Sequence, residues 1–276
     1  MLPELDDRGR RLLAAHDELI RGAAELSRAT GGIERRGPLW LGLFGDRGMV
    51  TYRDLGDVPA AQFPALIAEV VEHFAALGVG FEWKTRGHDQ RNDALVAALL
   101  AAGFQPDPAE TVMIGEPDAL RGAAVVPDGL VLRQAGVGRD LAEDVAAVGR
   151  LHAGVFPHHD AGYDERTLIA VRERPDQVQL WLVTDGDAVV CAGRVELDAP
   201  VAGLWGGATD PSWRGRGLYR ALTAARAGAA HAAGCTLIYA ECTPFSRPIL
   251  QRSGLVPVTT TTPYLWPGPI VASIPG

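Results

Sequence analysis

The sequence predicts a mixed α/β protein built from two layered domains, each a mixed β-sheet flanked by helices. Hydrophobic spacings typical of helices and of strands alternate along most of the 276 residues. Near the middle, residues 117–128 carry two prolines, a glycine and little periodicity, which is typical of a linker. After this stretch the alternation begins again. We therefore expect one domain over residues 1–120 and a second over residues 128–276.

In the first half, apolar residues at helical spacing predict an amphipathic helix over residues 12–26. Two strand-like runs flank a segment containing Gly45 and Gly48, which predicts a hairpin. Gly103 follows the last apolar helix of this half, as is common at a helix C-terminus. Strands are predicted over 39–44, 49–53, 79–84 and 111–114, and helices over 64–77 and 93–102.

The second half predicts the order strand, two helices, three strands, helix, strand, helix and strand. Its segment Leu250-Gln-Arg-Ser-Gly-Leu255 echoes Leu99-Leu-Ala-Ala-Gly-Phe104 of the first half, which weakly favours a duplication. Strands are predicted over 130–133, 179–184, 188–196, 202–209, 236–242 and 256–264, and helices over 141–152, 165–174, 216–233 and 247–252.

Composition excludes several classes of function. The net charge of −8 argues against a nucleic-acid-binding surface and mildly favours cationic small-molecule partners. The three cysteines are an odd number without a close pair, so we expect a reducing, cytoplasmic environment and no disulfide framework. The N-terminus lacks the pattern of a signal peptide, and no apolar run has the length needed to span a membrane.

One segment carries a chemical signal, namely Thr209-Asp-Pro-Ser-Trp-Arg-Gly-Arg-Gly-Leu-Tyr219 between a predicted strand and a predicted helix. Glycines allow the backbone to approach a ligand closely, and the free N–H groups at a helix start bind anions. Arg214, Arg216 and Arg220 add positive charge where a helix ordinarily favours acidic residues. The segment therefore predicts a site for phosphate groups.

The alternatives for residues 209–219 are a surface turn and two other kinds of phosphate-binding loop. A surface turn with solvated arginines would produce the same short pattern. The phosphate loop Gly-x-x-x-x-Gly-Lys-Ser/Thr is absent from the chain. The pair Gly215 and Gly217 lacks the third glycine of the dinucleotide-binding fingerprint.

The strand, the Asp-Pro turn, the Arg-Gly-Arg-Gly loop and the helix together resemble motif A of the GNAT N-acetyltransferase superfamily, whose loop reads Arg/Gln-x-x-Gly-x-Gly/Ala. A weaker second motif aligns with Thr243, Ser246, Leu250 and Gly254. The resemblance covers residues 130–266. It implies a GNAT fold and acetyl-coenzyme A (acetyl-CoA) as cosubstrate, with no metal ion.

The resemblance also implies where the cosubstrate would lie. The backbone amides of Arg216 to Tyr219 would bind the pyrophosphate, and the preceding strand edge would bind the pantetheine arm. The thioester would lie near residues 242–246, where Ser246 would contact the thiolate or, alternatively, cap the next helix. The implied cofactor-binding residues are Gly207, Ala208, Thr209, Arg214, Gly215, Arg216, Gly217, Leu218, Tyr219 and Ser246.

The sequence departs from the family where proton transfer would occur. Leu250 stands where many members carry a tyrosine acid, and Gly203 stands where some carry a glutamate base. The substitutes that we predict are Glu241 as base or amine anchor and Tyr264 as acid. A solvated carboxylate is the alternative for Glu241, and a packing aromatic is the alternative for Tyr264. The sequence His158-His159-Asp160 lacks metal-ligand spacing and predicts a solvated loop.

The first half lacks the arginine-glycine loop, since residues 54–63 contain two aspartates and no basic residue. This half therefore resembles a degenerate GNAT copy in a tandem arrangement.

The function that the resemblance of the second half implies is transfer of an acetyl group from acetyl-CoA to a primary amine of a small molecule. The alternatives are a coenzyme A-binding regulatory protein without turnover and an enzyme similar to mycothiol synthase that acetylates an amino sugar.

Overall fold

The computed structural model describes residues 4–122, 125–156 and 161–269. It divides into two compact units, one formed by Met1–Val112 with Val258–Gly276 and the other by Met113–Pro257. These bounds differ from the predicted domains, because the segment from Val258 onward belongs to the first unit. The cause is strand pairing, since residues Thr261 to Trp266 pair with a strand of the first unit in an unbroken antiparallel register.

The first unit has the strand order β1-β2-β3-β4-β12, and the short β5 also pairs with β12. The chain passes into the second unit within β6 (Glu110–Gly115). The other elements are α1 (Asp7–Leu19), β1 (Ile33–Arg36), β2 (Leu39–Phe44), β3 (Arg47–Tyr52), α2 (Phe63–Ala76), β4 (Phe81–Arg86), α3 (Asn92–Ala101), β5 (Gln105–Pro106) and β12 (Val256–Trp266).

The predicted hairpin and the two later helices of this unit are confirmed. The first predicted helix is wrong in extent, because α1 ends at Leu19 and a separate 3₁₀ turn covers Gly22–Leu26. Gly22 has φ of +73°, which an α-helix does not accommodate. Strand β1 was missed, since its sequence Ile-Glu-Arg-Arg shows no apolar alternation at the sheet edge.

The second unit has the strand order β11-β10-β9-β8-β7. The predicted linker is wrong at its start, because Pro117–Leu120 forms a helical turn whose Leu120 is buried in this unit's core. The elements are α4 (Pro117–Leu120), β7 (Leu130–Gln134), α5 (Leu141–Val155), α6 (Ala161–Glu173), β8 (Val178–Asp185), β9 (Ala188–Asp198), β10 (Val201–Thr209), α7 (Leu218–Ala232), β11 (Leu237–Cys242) and α8 (Arg247–Arg252).

The two units repeat one structural motif. Each has three antiparallel strands, then a loop and a helix, then a strand that runs parallel to the third one. The echo seen in the sequence is also structural. Phe104 donates its N–H to the carbonyl of Leu99, and Leu255 donates its N–H to the carbonyl of Leu250, both at 3.1 Å. Gly103 and Gly254 supply the positive φ that such helix ends require.

In the first unit, the parallel strands β3 and β4 pair over three residues, ending at Val50 and Trp83. Beyond this point a buried carboxylate lies between the strands. Glu25 accepts a hydrogen bond from Thr51 of β3, and its carboxylate lies 3.1 Å from Nζ of Lys84 and 2.5 Å from Nη2 of Arg86. Burial raises the pKa of Glu25, but the two cations outweigh it and hold this pKa well below its usual range.

The ion pairs of Glu25 should stabilise the first unit strongly. Glu25→Gln would remove the buried carboxylate charge that contacts both Lys84 and Arg86, so we expect a loss of about 3–5 kcal/mol of unfolding free energy at pH 7. The pKa of Glu25 is depressed on folding, so its contribution is present above the unfolded pKa of about 4.3 and is lost as the pH falls further. Denaturant unfolding between pH 3 and pH 7 measures both effects.

The control is Glu34→Gln, which removes a half-exposed carboxylate paired with Arg36 and should cost less than about 1 kcal/mol. An unfolding free energy of Glu25→Gln equal to that of Glu34→Gln would contradict the assignment. So would an unchanged acid dependence, because Gln does not titrate.

Candidate functional site

The candidate site begins where β10 and β11 separate. The two parallel strands are in register from Val201 with Leu237 to Gly203 with Tyr239, and within the described residues the pairing stops there. On its other side, β10 continues to pair with β9 up to Thr209, with an irregularity between Trp205 and Ala208. Residues 204–209 therefore present a backbone edge that β11 does not occupy.

Two glycines form the irregular segment of β10. Gly206 has φ of +59°, and its carbonyl accepts a hydrogen bond of 2.9 Å from Nε2 of the buried His152. A Cβ on Gly206 would lie 2.9 Å from the hydroxyl of Tyr163. A Cβ on Gly207 would lie 2.8 Å from Cε2 of Tyr219 on the opposite sheet face. Both positions require glycine, because an aromatic side chain closes each face.

A compact turn follows β10. Asp210 accepts hydrogen bonds from the backbone N–H and the hydroxyl of Ser212, at 2.8 and 2.5 Å. These bonds lower the pKa of Asp210, so the carboxylate is charged and holds the turn. Gly215 and Gly217 then adopt φ of +76° and +81°. Both lie in the left-handed region that glycine favours, and a Cβ at Gly215 would meet nothing within 4 Å.

The N-terminus of α7 has no internal cap. Helices α1 and α5 are capped by Asp6 and Asp140, whereas Gly217 caps α7 without a side chain and no acidic residue stands in its first turn. The first N–H of this helix with a backbone partner is that of Ala221, which donates to Gly217. In the described part of the chain, the N–H groups of residues 215–220 have no acceptor, and this is the arrangement that binds anions.

Three arginines surround these N–H groups. Nε of Arg214 donates to the carbonyl of Thr209 at 3.3 Å, and the guanidinium of Arg216 lies 4.5 Å from the ring centre of Trp213. Arg220 stands in the first turn of the helix. None of the three has a carboxylate within ion-pair distance among the described residues. Each cation would cost about 0.3–1 kcal/mol beside the positive helix end unless an anion balances it.

The predicted anion site therefore fits a pyrophosphate. The loop has free backbone donors, glycines that allow close approach, and unbalanced positive charge. The adjoining edge of β10 is not paired with β11 and leads directly into the loop, as an extended amide-containing arm requires. The structure brings together Gly207, Ala208, Thr209, Arg214, Gly215, Arg216, Gly217, Leu218 and Tyr219 in one continuous segment.

A buried arginine lies beneath this loop. Arg226 is 1% exposed, and no carboxylate pairs with it among the described residues. Its guanidinium donates to the carbonyl of Arg194 and the hydroxyl of Thr223 and lies 5.9 Å from the ring centre of Tyr219. Sequence reasoning missed Arg226, although it occupies the apolar face of the predicted helix and that position could have revealed it.

The face of β9, β10 and β11 that carries Trp205 is polar and aromatic. Glu196, Gly203 and Tyr239 lie side by side on the three strands, and the rings of Trp205 and Tyr239 meet edge to face at 5.6 Å. The indole nitrogen of Trp205 lies 2.6 Å from where a Cβ of Gly203 would stand. A side chain at position 203 would clash with this indole, and no local pattern in the sequence predicts the arrangement.

Arg194 borders the same face. It lies 2.9 Å from a carboxylate oxygen of Glu196, and its guanidinium stands 5.2 Å from the ring centre of Tyr163 in α6. The opposite face of β10 is filled, since Ala202 and Leu204 pack in one core cluster with Ala227 of α7. The polar and aromatic side chains of these strands therefore lie on the face of β10 opposite α7.

The predicted proton-transfer residues lie in different units. Glu241 is partly buried at the end of β11 on the same face as Tyr239. Tyr264 is 7% exposed in the core of the first unit, where its strand pairs with both β4 and β5, and burial raises its pKa. The packing interpretation fits this position of Tyr264, and a catalytic role for its hydroxyl stays a prediction.

The remaining candidates are placed as follows. Ser246 is the N-cap residue of α8, but its hydroxyl bonds to the carbonyl of Thr243 at 3.4 Å rather than to the helix. Cys191 is buried, and desolvation raises its pKa to about 11, so the thiol is protonated at neutral pH. His158-His159-Asp160 lies outside the described residues.

No group of three or more His, Cys, Asp or Glu side chains is placed to bind a metal ion in the described ranges. None of the helices in those ranges is both long and apolar enough to cross a bilayer.

The contact between Gly207 and Tyr219 should be needed for stability. Gly207→Ala would force the tyrosine ring out of its position, so we expect a loss of about 1–3 kcal/mol of unfolding free energy and a lower melting temperature. The control is Gly228→Ala in α7, where a Cβ would meet nothing within 4 Å, and this change should stabilise the helix by about 0.5–1 kcal/mol. Equal melting temperatures for Gly207→Ala and the unaltered chain would contradict this contact.

Comparison with known proteins agrees with this geometry. Residues 145–250 match the family described as Acetyltransferase (GNAT) family. No match was found among curated proteins. A GCN5-related N-acetyltransferase from Kribbella flavida is 18% identical, with a TM-score of 0.65 over 97% of this chain and 98% of that one.

Two further solved structures share the fold. A GCN5-related N-acetyltransferase from Sphaerobacter thermophilus has 17% identity and a TM-score of 0.60, over 84% of this chain and 78% of that one. A tandem GNAT protein from the clavulanic acid biosynthesis pathway has 16% identity and a TM-score of 0.55, over 96% and 98%. The loop between β10 and α7 lies inside the matched segment, and the chain therefore contains a GNAT domain over residues 145–250.

Proposed function

We propose that this protein is an N-acyltransferase that transfers an acetyl group from acetyl-CoA to a primary amine of a small molecule by direct attack. The observation that carries the proposal is the junction of β10 and α7. There an unpaired strand edge leads into free N–H groups at residues 215–220, with three arginines that lack carboxylate partners. A linear ligand with an amide-containing arm and a pyrophosphate fits both parts at once.

In this proposal the loop from Arg214 to Tyr219 holds the pyrophosphate, and Gly207, Ala208 and Thr209 hold the pantetheine arm. Acetyl-CoA supplies an activated acetyl group as a thioester. The hydroxyl of Ser246 is not engaged in capping α8 and stands at the start of that helix, next to the end of β11. It contacts the carbonyl and the hydroxyl of Thr243, both at 3.4 Å, and in this proposal it exchanges these long contacts for one to the cosubstrate.

The acceptor would approach from the polar and aromatic face of the sheet. Trp205 and Tyr239 present rings to this face, and rings of this kind attract ammonium groups. Glu196 and Glu241 add carboxylates on β9 and β11. Arg194 borders the same face, beside the ring of Tyr163 and paired with Glu196. These features support a small amine as the acceptor class.

The reaction needs a neutral amine. The amine nitrogen forms a bond to the thioester carbonyl carbon, the carbon–sulfur bond breaks, and the thiolate leaves with the bonding electrons. Glu241 would orient the ammonium form and accept its first proton, and the departing thiolate takes up the second proton, which the nitrogen loses as the amide forms. The bulge at Gly206 and Gly207 would fix the strand edge against which the thioester is positioned, and positioning of this kind lowers the barrier.

A coenzyme A-binding protein without turnover is the second candidate. The fully buried Leu250 stands where many GNAT members carry a tyrosine acid, and Gly203, which lies beneath Trp205, stands where some carry a glutamate base. Neither position therefore supplies a group for proton transfer. Release of free thiol from acetyl-CoA across a panel of primary amines separates the two candidates. Amine-dependent thiol release favours the transferase, whereas tight acetyl-CoA binding with no release above the hydrolysis background favours the binding protein.

Charge reversal in the loop tests cosubstrate binding. We expect isothermal titration to show one acetyl-CoA per chain, because the first unit has an acidic loop and Glu25 between its diverging strands. Arg216→Glu should weaken binding by about 10–100-fold through the lost charge-assisted contact. The control is Arg150→Glu on the exposed side of α5, which should bind like the unaltered chain. Tight binding by Arg216→Glu would contradict the site.

The role of Glu241 is tested by Glu241→Gln, which keeps the size of the side chain but removes its charge. We expect kcat/KM for the amine to fall by about 10²–10⁴-fold if Glu241 accepts the proton, with acetyl-CoA affinity unchanged. The matched control is Glu143→Gln, an exposed residue of α5 that pairs with Arg139. A kcat/KM equal to that of the control would remove Glu241 from the mechanism.

A further inference from the structure

The first unit contains a cavity that the proposed transferase does not use. Its volume is about 890 Å³, which is the size of a small-molecule site. It is bordered by the 3₁₀ turn after α1, the turn between β1 and β2, and the loop after β3. Its charged and aromatic lining residues include Arg35, Trp40, Arg53, Asp54 and Asp57.

Two arginines of the cavity have free donor groups. The guanidinium of Arg35 lies 5.2 Å from the ring centre of Trp40, and its Nε donates to the carbonyl of Gly37 at 3.2 Å. Its two terminal nitrogens make no hydrogen bond within the described residues. Arg53 uses one terminal nitrogen for the carbonyl of Glu18, at 2.6 Å. In the described ranges neither arginine has a carboxylate partner.

The third arginine of the cavity differs from these two. Arg21 is 3% exposed and donates twice to Asp89, both at 2.8 Å. Its charge is therefore balanced inside the first unit, and it contributes shape rather than a binding charge. The positive charge available to a ligand comes from Arg35 and Arg53.

The loop after β3 contributes the opposite charge. Asp54 and Asp57 border the cavity, and the only hydrogen bond described for these two side chains is that from the N–H of Gly56 to Asp54, at 2.6 Å. Two cations and two carboxylates thus face one space. A dianion such as phosphate would meet the aspartates, whereas a molecule that carries one carboxylate and one ammonium group would satisfy both pairs.

We propose that this cavity binds a small zwitterion with a flat apolar body, of the α-amino acid class. Arg35 and Arg53 bind its carboxylate, and the aspartates on the loop side bind its ammonium group. Trp40, Leu55 and Pro59 contact its apolar body. The site belongs to the first unit alone and does not depend on acyl transfer by the second.

The test follows the indole N–H resonance of Trp40 in a ¹H–¹⁵N spectrum of the full chain during titration with L-phenylalanine. Trp40→Phe assigns this signal among those of the six tryptophans. We expect a saturable shift with a Kd of about 1 mM. N-acetyl-L-phenylalanine lacks the ammonium group and L-phenylalaninamide lacks the carboxylate, so each should bind at least about five-fold more weakly.

Arg35→Gln should weaken binding of L-phenylalanine by about ten-fold. Arg36→Gln is the matched control, because Arg36 follows on the same strand, pairs with Glu34 at 2.5 Å and does not border the cavity. The proposal is overturned by an unshifted Trp40 resonance at about 20 mM L-phenylalanine. Equal binding of either blocked analogue, or unchanged binding by Arg35→Gln, would overturn it as well.

Discussion

The separation of β10 from β11 after Gly203 is the constraint on which the proposed acyl-CoA site depends. A strand in the middle of a sheet ordinarily has both edges paired, and its backbone is then unavailable to a ligand. Here the pairing stops after three residues, and the bulge at Gly206 and Gly207 changes the course of β10. His152 binds the carbonyl of the bulge, and Tyr219 packs against its other face. The open edge is thus built into the packing on both sides.

Tyr219 links the strand edge to the loop. Its N–H belongs to the uncapped start of α7, while its ring fills the space that Gly207 leaves on β10. The buried Arg226 lies beside that ring, and burial lowers the pKa of Arg226 while the neighbouring Tyr219 opposes this shift. The two proposed parts of the cosubstrate site are therefore held by one residue, and the anion-binding amides are fixed relative to the strand edge.

The first unit contains the same motif, but different side chains fill the gap between its strands and form its loop. Its strands β3 and β4 also pair over three residues and then separate, but Glu25 fills the gap with ion pairs to Lys84 and Arg86. Its loop after β3 carries Asp54 and Asp57, and Arg53 is the one basic residue between β3 and α2. A buried carboxylate in the gap and negative charge in the loop both disfavour a pyrophosphate ligand. These two features support the proposal that the first unit is a copy without an acyl-CoA site.

Features that are local in the sequence were predictable, and features that depend on packing were not. The loop of Arg214 to Tyr219 is local, since glycines and arginines in one short segment define its conformation and its charge. The position of the C-terminal strand is not local, because hydrophobic periodicity identifies a strand but not its partner. The same holds for the contact of Gly207 with Tyr219 and for the ion pairs of Glu25. The contact of Gly207 with Tyr219 could be predicted only by knowing which face of β10 meets α7.

The most direct test of the account is hydrogen exchange of the full chain with and without saturating acetyl-CoA. The account predicts slower exchange in peptides that cover residues 204–220, where free amides of the strand edge and of the loop would gain acceptors. Peptides that cover residues 51–62, the equivalent segment of the first unit, should exchange at unchanged rates. Saturating binding without protection at 204–220, or with protection at 51–62 instead, would contradict the central claim that the junction of β10 and α7 binds the acyl donor.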